Sequence, residues 1–148
     1  MTKMIFINLP VADLDKAKAF YSALGFVNEP KFTDETAAAM QWSEAIFVML
    51  LTHAKWKSFT TRPIPDRGSS EVSLALSIDS RAEVDRLVEI AKASGGTIDV
   101  NPPEDHGFMY QRTILDPDGH IWEPVWMDPA MAESGPPADA ALAHARAS

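Results

Sequence analysis

The side chains of this 148-residue chain that could do chemistry are histidines and carboxylates, because the sequence contains no cysteine. Disulfide bonds, thiolate metal sites and cysteine nucleophiles are therefore excluded. Among the four histidines, His106 is the best candidate for a direct role. Pro102 and Pro103 stiffen its segment, and Gly107 permits a close approach of the backbone. Glu123 could act as a general base with His106 as its partner, so we take both as candidate catalytic residues.

The other three histidines are weaker candidates. His120 is on the same predicted strand as Glu123 but has the opposite parity, so its side chain should point to the other face. His53 follows a predicted strand and is expected in a loop, whereas His144 lies in the C-terminal tail and is expected to be solvated.

Charge and hydropathy exclude two classes of partner. Thirteen Lys and Arg residues against 21 Asp and Glu residues give a formal net charge of −8, which repels nucleic acid. The longest uninterrupted apolar run, residues 45–51, is far shorter than the roughly 20 residues that a membrane helix needs. The N-terminus does not resemble a signal peptide. We therefore expect a soluble, cytoplasmic protein with no nucleic-acid or membrane partner.

The elements that must position these side chains follow from hydrophobic periodicity. Residues 4–11 alternate as a strand with one buried face, and a helix follows that begins after Asp13 and ends at Gly25. Further strands are predicted at residues 26–32, 37–42 and 45–52. After a crossing loop at 53–70 with a short helix at 55–60, a second strand and a helix capped by Ser80 appear. Three more strands are predicted at residues 97–100, 107–115 and 120–127.

An internal repeat organises these elements. A shift of 67 residues places Ile7 on Leu74 and Asp13 on Ser80, so core positions fall on core positions and a helix cap falls on a helix cap. Each half has the order β-α-β-β-β. The sequence thus predicts one domain at residues 1–128, with repeats at about 4–52 and 71–127, followed by a flexible Ala/Pro-rich tail at 129–148 with a frayed end or a helix at 139–146.

Two sequence motifs resemble a known family. The opening segment Asn8-Leu9-Pro10-Val11-Ala12-Asp13 with Phe20-Tyr21 and Leu24-Gly25-Phe26, and the closing turn Asp116-Pro117-Asp118-Gly119-His120, are similar to those of the vicinal oxygen chelate superfamily. That superfamily includes glyoxalase I, bleomycin-resistance proteins, fosfomycin-resistance transferases and extradiol dioxygenases. The resemblance implies an α+β fold in which the two β-α-β-β-β repeats form a cupped mixed sheet. A homodimer is also implied, because ligand grooves in the family often form between two copies.

The resemblance implies metal-ligand positions that this chain fills with unsuitable residues. These positions fall on Phe6, on Met49 or Val48, on Ser73 and on Glu123, of which only Glu123 is a usual ligand. A catalytic divalent ion needs about three protein ligands. We therefore expect no metal cofactor; one divalent ion held in part by Glu123 and His106 is the alternative.

Strand parity predicts which side chains line the cavity. Side chains that face away from the helices are expected on the concave side of the sheet, where the cavity would lie. On the penultimate strand, Tyr110 and Arg112 share one face. Met109, Gln111 and Thr113 share the other. Parity does not decide between these two sets. The candidate ligand-binding residues are Phe6, Asn8, Met49, Ser73, Ala75, Tyr110 and Arg112.

Two functional hypotheses follow. The first is a metal-free protein that binds a small organic molecule in this largely apolar cavity, with the acidic balance favouring a cationic aromatic compound. The second is an enzyme, a lyase, isomerase or dioxygenase-like oxidoreductase, that acts on a small oxygenated substrate through Glu123 and His106. Pairing of Glu123 with Arg112 across the last hairpin would instead give the carboxylate a structural role.

Overall fold

The computed structural model, which describes residues 1–135, folds each repeat into a sheet with one helix packed against it. The predicted helix at 139–146 and His144 lie outside the described residues. The first repeat consists of β1 (Ile5–Val11), α1 (Leu14–Ala23), β2 (Val27–Glu29), β3 (Ala37–Ser43) and β4 (Ile46–Thr52), with a 3-10 turn at Pro30–Phe32. The connecting helix is α2 (His53–Phe59). The second repeat consists of β5 (Ser73–Ser77), α3 (Arg81–Ala93), β6 (Thr97–Ile98), β7 (Glu104–Asp105), β8 (Met109–Gln111), β9 (Ile114–Leu115) and β10 (Ile121–Met127), and α4 (Pro129–Ser134) follows it.

The two sheets have the same central pairing, which confirms the α+β fold class predicted from the repeat. In the first sheet, with order β1-β4-β3-β2, β1 and β4 are parallel neighbours. In the second, β5 and β10 are the corresponding parallel pair, and β8 and β9 both pair with the other edge of β10. A short helix, α2 or α4, follows the last strand of each repeat.

Both long helices begin at the residues that the sequence indicated. The side chain of Asp13 accepts a hydrogen bond from the Lys16 amide at 3.0 Å, and that of Ser80 accepts one from the Glu83 amide at 3.1 Å. These bonds satisfy amides that a helix N-terminus otherwise leaves without partners. The caps fix where α1 and α3 start and hence which face each turns toward its sheet.

The predicted strand at 107–115 is divided into β8 and β9 by a proline on the neighbouring strand. Pro124, in the middle of β10, accepts a hydrogen bond from the Arg112 amide at 3.2 Å. It cannot return one because proline has no N–H. The ladder is therefore interrupted between Gln111 and Ile114.

Buried side chains of both repeats form one shared hydrophobic core. It contains Leu9, Phe20 and Met40 of the first repeat together with Leu87 and Trp122 of the second. These residues lie on the sheet faces covered by the helices and on the helices themselves. The opposite faces, called here the open faces, are consequently left to line cavities or to meet solvent.

Two short helices differ from the sequence-based expectation. Helix α2 begins at His53, two residues before the predicted start, because Thr52 caps it by accepting a hydrogen bond from the Lys55 amide at 3.2 Å. Helix α4 lies where a tail was expected. Asp128 caps it and Pro129 occupies its first turn, a combination that could have predicted it. No helix within residues 1–135 is long and apolar enough to cross a membrane.

Candidate functional site

The candidate residues of the first repeat lie together on the open face of its sheet. Asn8 on β1 is the direct cross-strand neighbour of Met49 on β4, and Phe6 is the neighbour of Phe47. The Phe6 and Phe47 rings stack with their centroids 5.1 Å apart. Strand parity places all four side chains opposite the α1 side, because Ile7 and its alternate neighbours face the core.

Helix α2 covers part of this open face and forms one wall of an open pocket of about 420 Å³. Because the chain turns directly from β4 into α2 at Thr52, the helix returns across the strand that it has just left. The pocket is therefore bounded by sheet on one side and by helix on the other. Its lining residues are Asn8, Ala37, Met49, Leu51, Lys55, Trp56, Phe59 and Thr60.

A second cavity of about 860 Å³ adjoins the first. It lies between β1, the crossing segment at residues 60–72 and the turn that precedes β10, and Asn8, Trp56 and Thr60 line both cavities. The crossing segment is held to that turn by Arg67, whose guanidinium donates a hydrogen bond to the Pro117 carbonyl oxygen. Trp56 thus stands at the boundary between the two spaces.

The indole N–H of Trp56 is the most unusual polar group of this region. Its Nε1 atom is buried, and it donates no hydrogen bond to any acceptor among residues 1–135. Buried polar groups in folded proteins nearly always have a partner. Sequence reasoning assigned Trp56, like the other tryptophans, to core or dimer packing and could not single it out, because the absence of a hydrogen-bond partner depends on packing between distant segments.

The candidate residues of the second repeat occupy the open face of the other sheet. Glu123 on β10 is paired with Ala75 on β5, and Ser73 with Ile121. Ser73 and Ala75 are exposed and Glu123 is half-buried. Glu123 lines neither of the two cavities described above.

Tyr110 and Arg112, two of the predicted ligand-binding residues, do not lie on the open face with the other candidates. The Arg112 guanidinium contacts Asp85 of α3 at 2.9 Å and Asp99 at 2.6 Å, and the Tyr110 hydroxyl donates to Asp85 at 2.7 Å. These carboxylates draw both side chains to the helix side of the sheet. The Tyr110 and Arg112 hydrogen bonds lower the pKa of Asp85. Met109 and Gln111 consequently share the open face with Glu123, and Arg112 does not pair with it.

His106 lies beside a carboxylate that sequence reasoning did not select. Its Nε2 atom is 3.7 Å from Oε2 of Glu104, and its ring stacks on that of Phe108 with the ring centroids 6.0 Å apart. Glu104 is on β7, which is separated from β10 by β8. The structure therefore brings His106 to Glu104, while Glu123 lies two strands away.

The remaining described histidines occupy structural or peripheral positions. The ring nitrogen Nε2 of His120 lies 2.7 Å from the Pro10 carbonyl oxygen, which links the last turn to β1. His53 is exposed at the start of α2 and lines the second cavity.

A buried polar network joins the two repeats behind the open faces. The Tyr21 hydroxyl donates to Asp116 Oδ2 at 2.6 Å and accepts from the Trp122 indole N–H at 2.9 Å. The other Asp116 oxygen accepts hydrogen bonds from the amides of Asp118 and His120. Burial raises the pKa of Asp116 above its usual range. The sequence indicated only that Asp116 would cap a turn; its bond to Tyr21 required the fold.

The family-implied ligand positions do not fit a divalent metal ion. Phe6, Met49 and Ser73 offer a ring, a thioether and a hydroxyl, which leaves Glu123 as one carboxylate oxygen donor. Within residues 1–135, no group of three or more His, Asp or Glu side chains is placed so that it could hold a metal ion.

Comparisons with known proteins agree with this architecture. Residues 3–123 match the family model described as the Glyoxalase/Bleomycin resistance protein/Dioxygenase superfamily. The chain is similar to the structure of a hypothetical protein from S. aureus, with 28% identity and a TM-score of 0.72 over 85% of this chain and 95% of that one.

Two further solved structures share the fold at lower identity. A bleomycin resistance determinant encoded on the transposon Tn5 is 24% identical, with a TM-score of 0.59 over 86% of this chain and 99% of that one. The fosfomycin resistance protein FosX from Mesorhizobium loti is 15% identical, with a TM-score of 0.63 over 90% and 98% of the two chains. A search of curated proteins gave no match.

Proposed function

The chain belongs to the Glyoxalase/Bleomycin resistance protein/Dioxygenase superfamily, and from this premise we propose that it binds a small organic molecule, without a metal ion, beneath α2. The observation that carries the proposal is the pocket of about 420 Å³ between α2 and the open face of the first sheet. Pockets that bind small organic molecules commonly measure about 300–1,000 Å³ and have mostly apolar walls with a few polar groups.

The chemistry of the lining indicates the kind of molecule. Ala37, Met49, Leu51 and Phe59 provide apolar walls, while Asn8 and Thr60 provide polar groups at the edge. Among the lining residues within 1–135, the one charged side chain is that of Lys55, whose Nζ lies 5.3 Å from the Phe59 ring centroid. A positive charge favours a neutral or anionic aromatic compound, so the cationic ligand expected from the net charge of the whole chain is not supported.

Filling the pocket tests the proposal directly. We expect two- and three-ring neutral and anionic aromatic compounds to raise the melting temperature of the wild-type protein and to bind measurably by calorimetry. Met49→Trp places a bulky side chain in the pocket and should abolish binding. Met127→Trp is the matched control, because Met127 is partly exposed at the end of β10 and lines neither cavity. Equal binding by both variants would refute this pocket as the site.

Elemental analysis tests the metal-free part of the proposal. Protein purified without chelators should carry far less than one equivalent of any divalent ion, and a chelator should leave ligand affinity unchanged. A stoichiometric ion that is lost in Glu123→Ala would contradict the proposal and favour the single divalent ion considered as the alternative.

An enzyme remains the second candidate function, because a histidine and a carboxylate lie side by side on the second sheet. Glu104 Oε2 lies 3.7 Å from His106 Nε2, and Glu123 is on the same open face. A lyase, isomerase or dioxygenase-like reaction through these groups predicts that pocket ligands turn over. Product formation that is abolished by His106→Gln would establish catalysis through these residues, whereas tight binding without turnover favours a binding protein.

We also propose that the chain forms a homodimer in the cytoplasm. Phe6 is 56% exposed on the first strand and stacks on Phe47 to form an apolar surface. Sedimentation should show a dimer that Phe6→Lys weakens, and cell fractionation should place the protein in the cytoplasmic fraction. A monomer at all concentrations would contradict the dimer.

A further inference from the structure

The position of Trp56 goes beyond the general proposal of an apolar pocket. Its ring stands between the two cavities, and its N–H group is buried without an acceptor among residues 1–135. A buried donor without an acceptor destabilises the conformation that contains it, because the donor has lost water and gained nothing. An acceptor that reaches this N–H would remove that penalty.

The neighbouring side chains do not supply such an acceptor. Most of the walls around Trp56 in the smaller pocket are hydrocarbon, contributed by Ala37, Met49, Leu51 and Phe59. Asn8 and Thr60 also line both cavities, but neither accepts a hydrogen bond from the indole. A molecule that occupies the pocket would bring an acceptor oxygen that this region otherwise lacks for the indole. An apolar ring would fill the hydrocarbon part, and a carbonyl or similar oxygen on it would face the indole.

Resting on the proposed function, we propose that Trp56 selects ligands by donating a hydrogen bond from its indole N–H to an acceptor oxygen on an otherwise apolar aromatic molecule. The structure assigns to the site a ligand class, aromatic compounds that carry a carbonyl, ether or comparable oxygen. It also assigns the residue that distinguishes them from plain hydrocarbons.

Access to the N–H requires a small displacement of α2, because the nitrogen is closed off in this conformation. Helix α2 is suited to such a movement. It contains no fully buried residue, and Phe59 near its end is 67% exposed. Few packing contacts oppose a shift of a short, weakly buried helix. Formation of the hydrogen bond would offset the free energy of that shift.

A pair of probes that differ by one oxygen tests the proposal. 2-Acetylnaphthalene and 2-ethylnaphthalene have nearly the same shape, but only the first has a carbonyl acceptor. Their affinities are measured for the wild-type protein, for Trp56→Phe and for Trp126→Phe. Trp126 is the matched control, because it lines neither cavity and lies against Arg81, 5.2 Å from its ring centroid. The affinity ratio, acetyl over ethyl, should fall about tenfold in Trp56→Phe and stay at the wild-type value in Trp126→Phe.

Nuclear magnetic resonance of the wild-type protein gives an independent readout that does not depend on the stability of a variant. The four tryptophans give separate indole N–H signals, and the variants of the other tryptophans assign that of Trp56. The acetyl probe should move this signal downfield, and the ethyl probe should not. Binding of both probes with an unchanged affinity ratio and equal signals would overturn the role of Trp56 but leave the pocket in place. Failure of both probes to bind would overturn the proposed pocket and this inference together.

Discussion

Removal of one hydroxyl, in Tyr21→Phe, should break the polar link between the two repeats. Tyr21 is fully buried, and its hydroxyl donates to Asp116 at 2.6 Å while it accepts from Trp122 at 2.9 Å. Asp116 is itself fully buried. The variant removes one donor from a buried carboxyl group and leaves the Trp122 N–H without its acceptor.

The expected fall in the free energy of unfolding follows from these two lost hydrogen bonds. A hydrogen bond to a charged group contributes about 1.5–3 kcal/mol, and a buried donor left unsatisfied costs about 1–3 kcal/mol. Since the two effects share one site and are not additive, we expect the free energy of unfolding to fall by about 3 kcal/mol. With a urea dependence of about 2 kcal/mol per molar, this lowers the unfolding midpoint by about 1.5 M.

Tyr110→Phe is the matched control, because Tyr21 and Tyr110 are the two tyrosines of the chain. The Tyr110 hydroxyl also donates to a carboxylate, Asp85, at 2.7 Å, but the Asp85 side chain is 52% exposed. Water can replace the lost bond there, so the unfolding free energy should change by only about 0.5 kcal/mol. Urea unfolding of the three proteins, followed by circular dichroism, measures the difference.

The loss in Tyr21→Phe should also depend on pH. Burial raises the pKa of Asp116, and the Tyr21 hydrogen bond opposes that rise. A carboxyl group with a raised pKa contributes its stability in full below the unfolded pKa, near 3.9, and that contribution is lost as the pH rises through the folded pKa. Without Tyr21 the pKa rises further, so the destabilisation should be greater at pH 7 than at pH 4. Equal effects of the two tyrosine variants, or a pH-independent loss, would refute this reasoning.

Two other predictions address backbone and surface charge. Gly119→Ala should lower the free energy of unfolding by about 2 kcal/mol or more, because Gly119 has φ +90° and a Cβ atom would lie 2.7 Å from the Arg67 carbonyl oxygen. Gly107→Ala, with φ +80° but no atom within 4 Å of the added Cβ, should lose only about 1 kcal/mol; equal losses would exclude the contact with Arg67 as the cause. Arg81→Met should raise the pKa of Asp105 toward its usual range, because the hydrogen bond from Arg81 is the main cause that lowers it. Carbon-detected titration of the carboxyl group measures this pKa. The contribution of Asp105 to stability is present above its unfolded pKa and lost in acid, so the stability difference between wild type and variant should shrink as the pH falls.

The helix-facing half of the fold was predictable from sequence because its signals are local. The alternation in β1 and the helix caps at Asp13 and Ser80 each depend on neighbouring residues, and the repeat connects the two halves. The division of β8 from β9 was not predictable in the same way, since it depends on Pro124 in another strand.

The site was less predictable, because contacts with residues distant in sequence determine which face of the sheet its side chains occupy. Tyr110 and Arg112 alternate with Met109 and Gln111, and neither set is clearly apolar, so periodicity does not assign a face. Hydrogen bonds from Tyr110 and Arg112 to Asp85 of α3 place both side chains on the helix side of the sheet. Likewise, parity placed Asn8 and Met49 on the open face, but the coverage of that face by α2 depends on how the chain turns after Thr52.

The separation of the pocket from the candidate acid–base groups bears on the choice between binding and catalysis. The pocket lies on the first sheet, beneath α2, whereas Glu123 and the Glu104–His106 pair lie on the second. A group acts as a general base only within hydrogen-bond reach of the proton it removes. None of Glu104, His106 and Glu123 is among the residues that line this pocket, so a molecule bound there does not touch them. Binding requires nothing beyond the first sheet and α2, which is why the geometry of the described chain favours a binding protein.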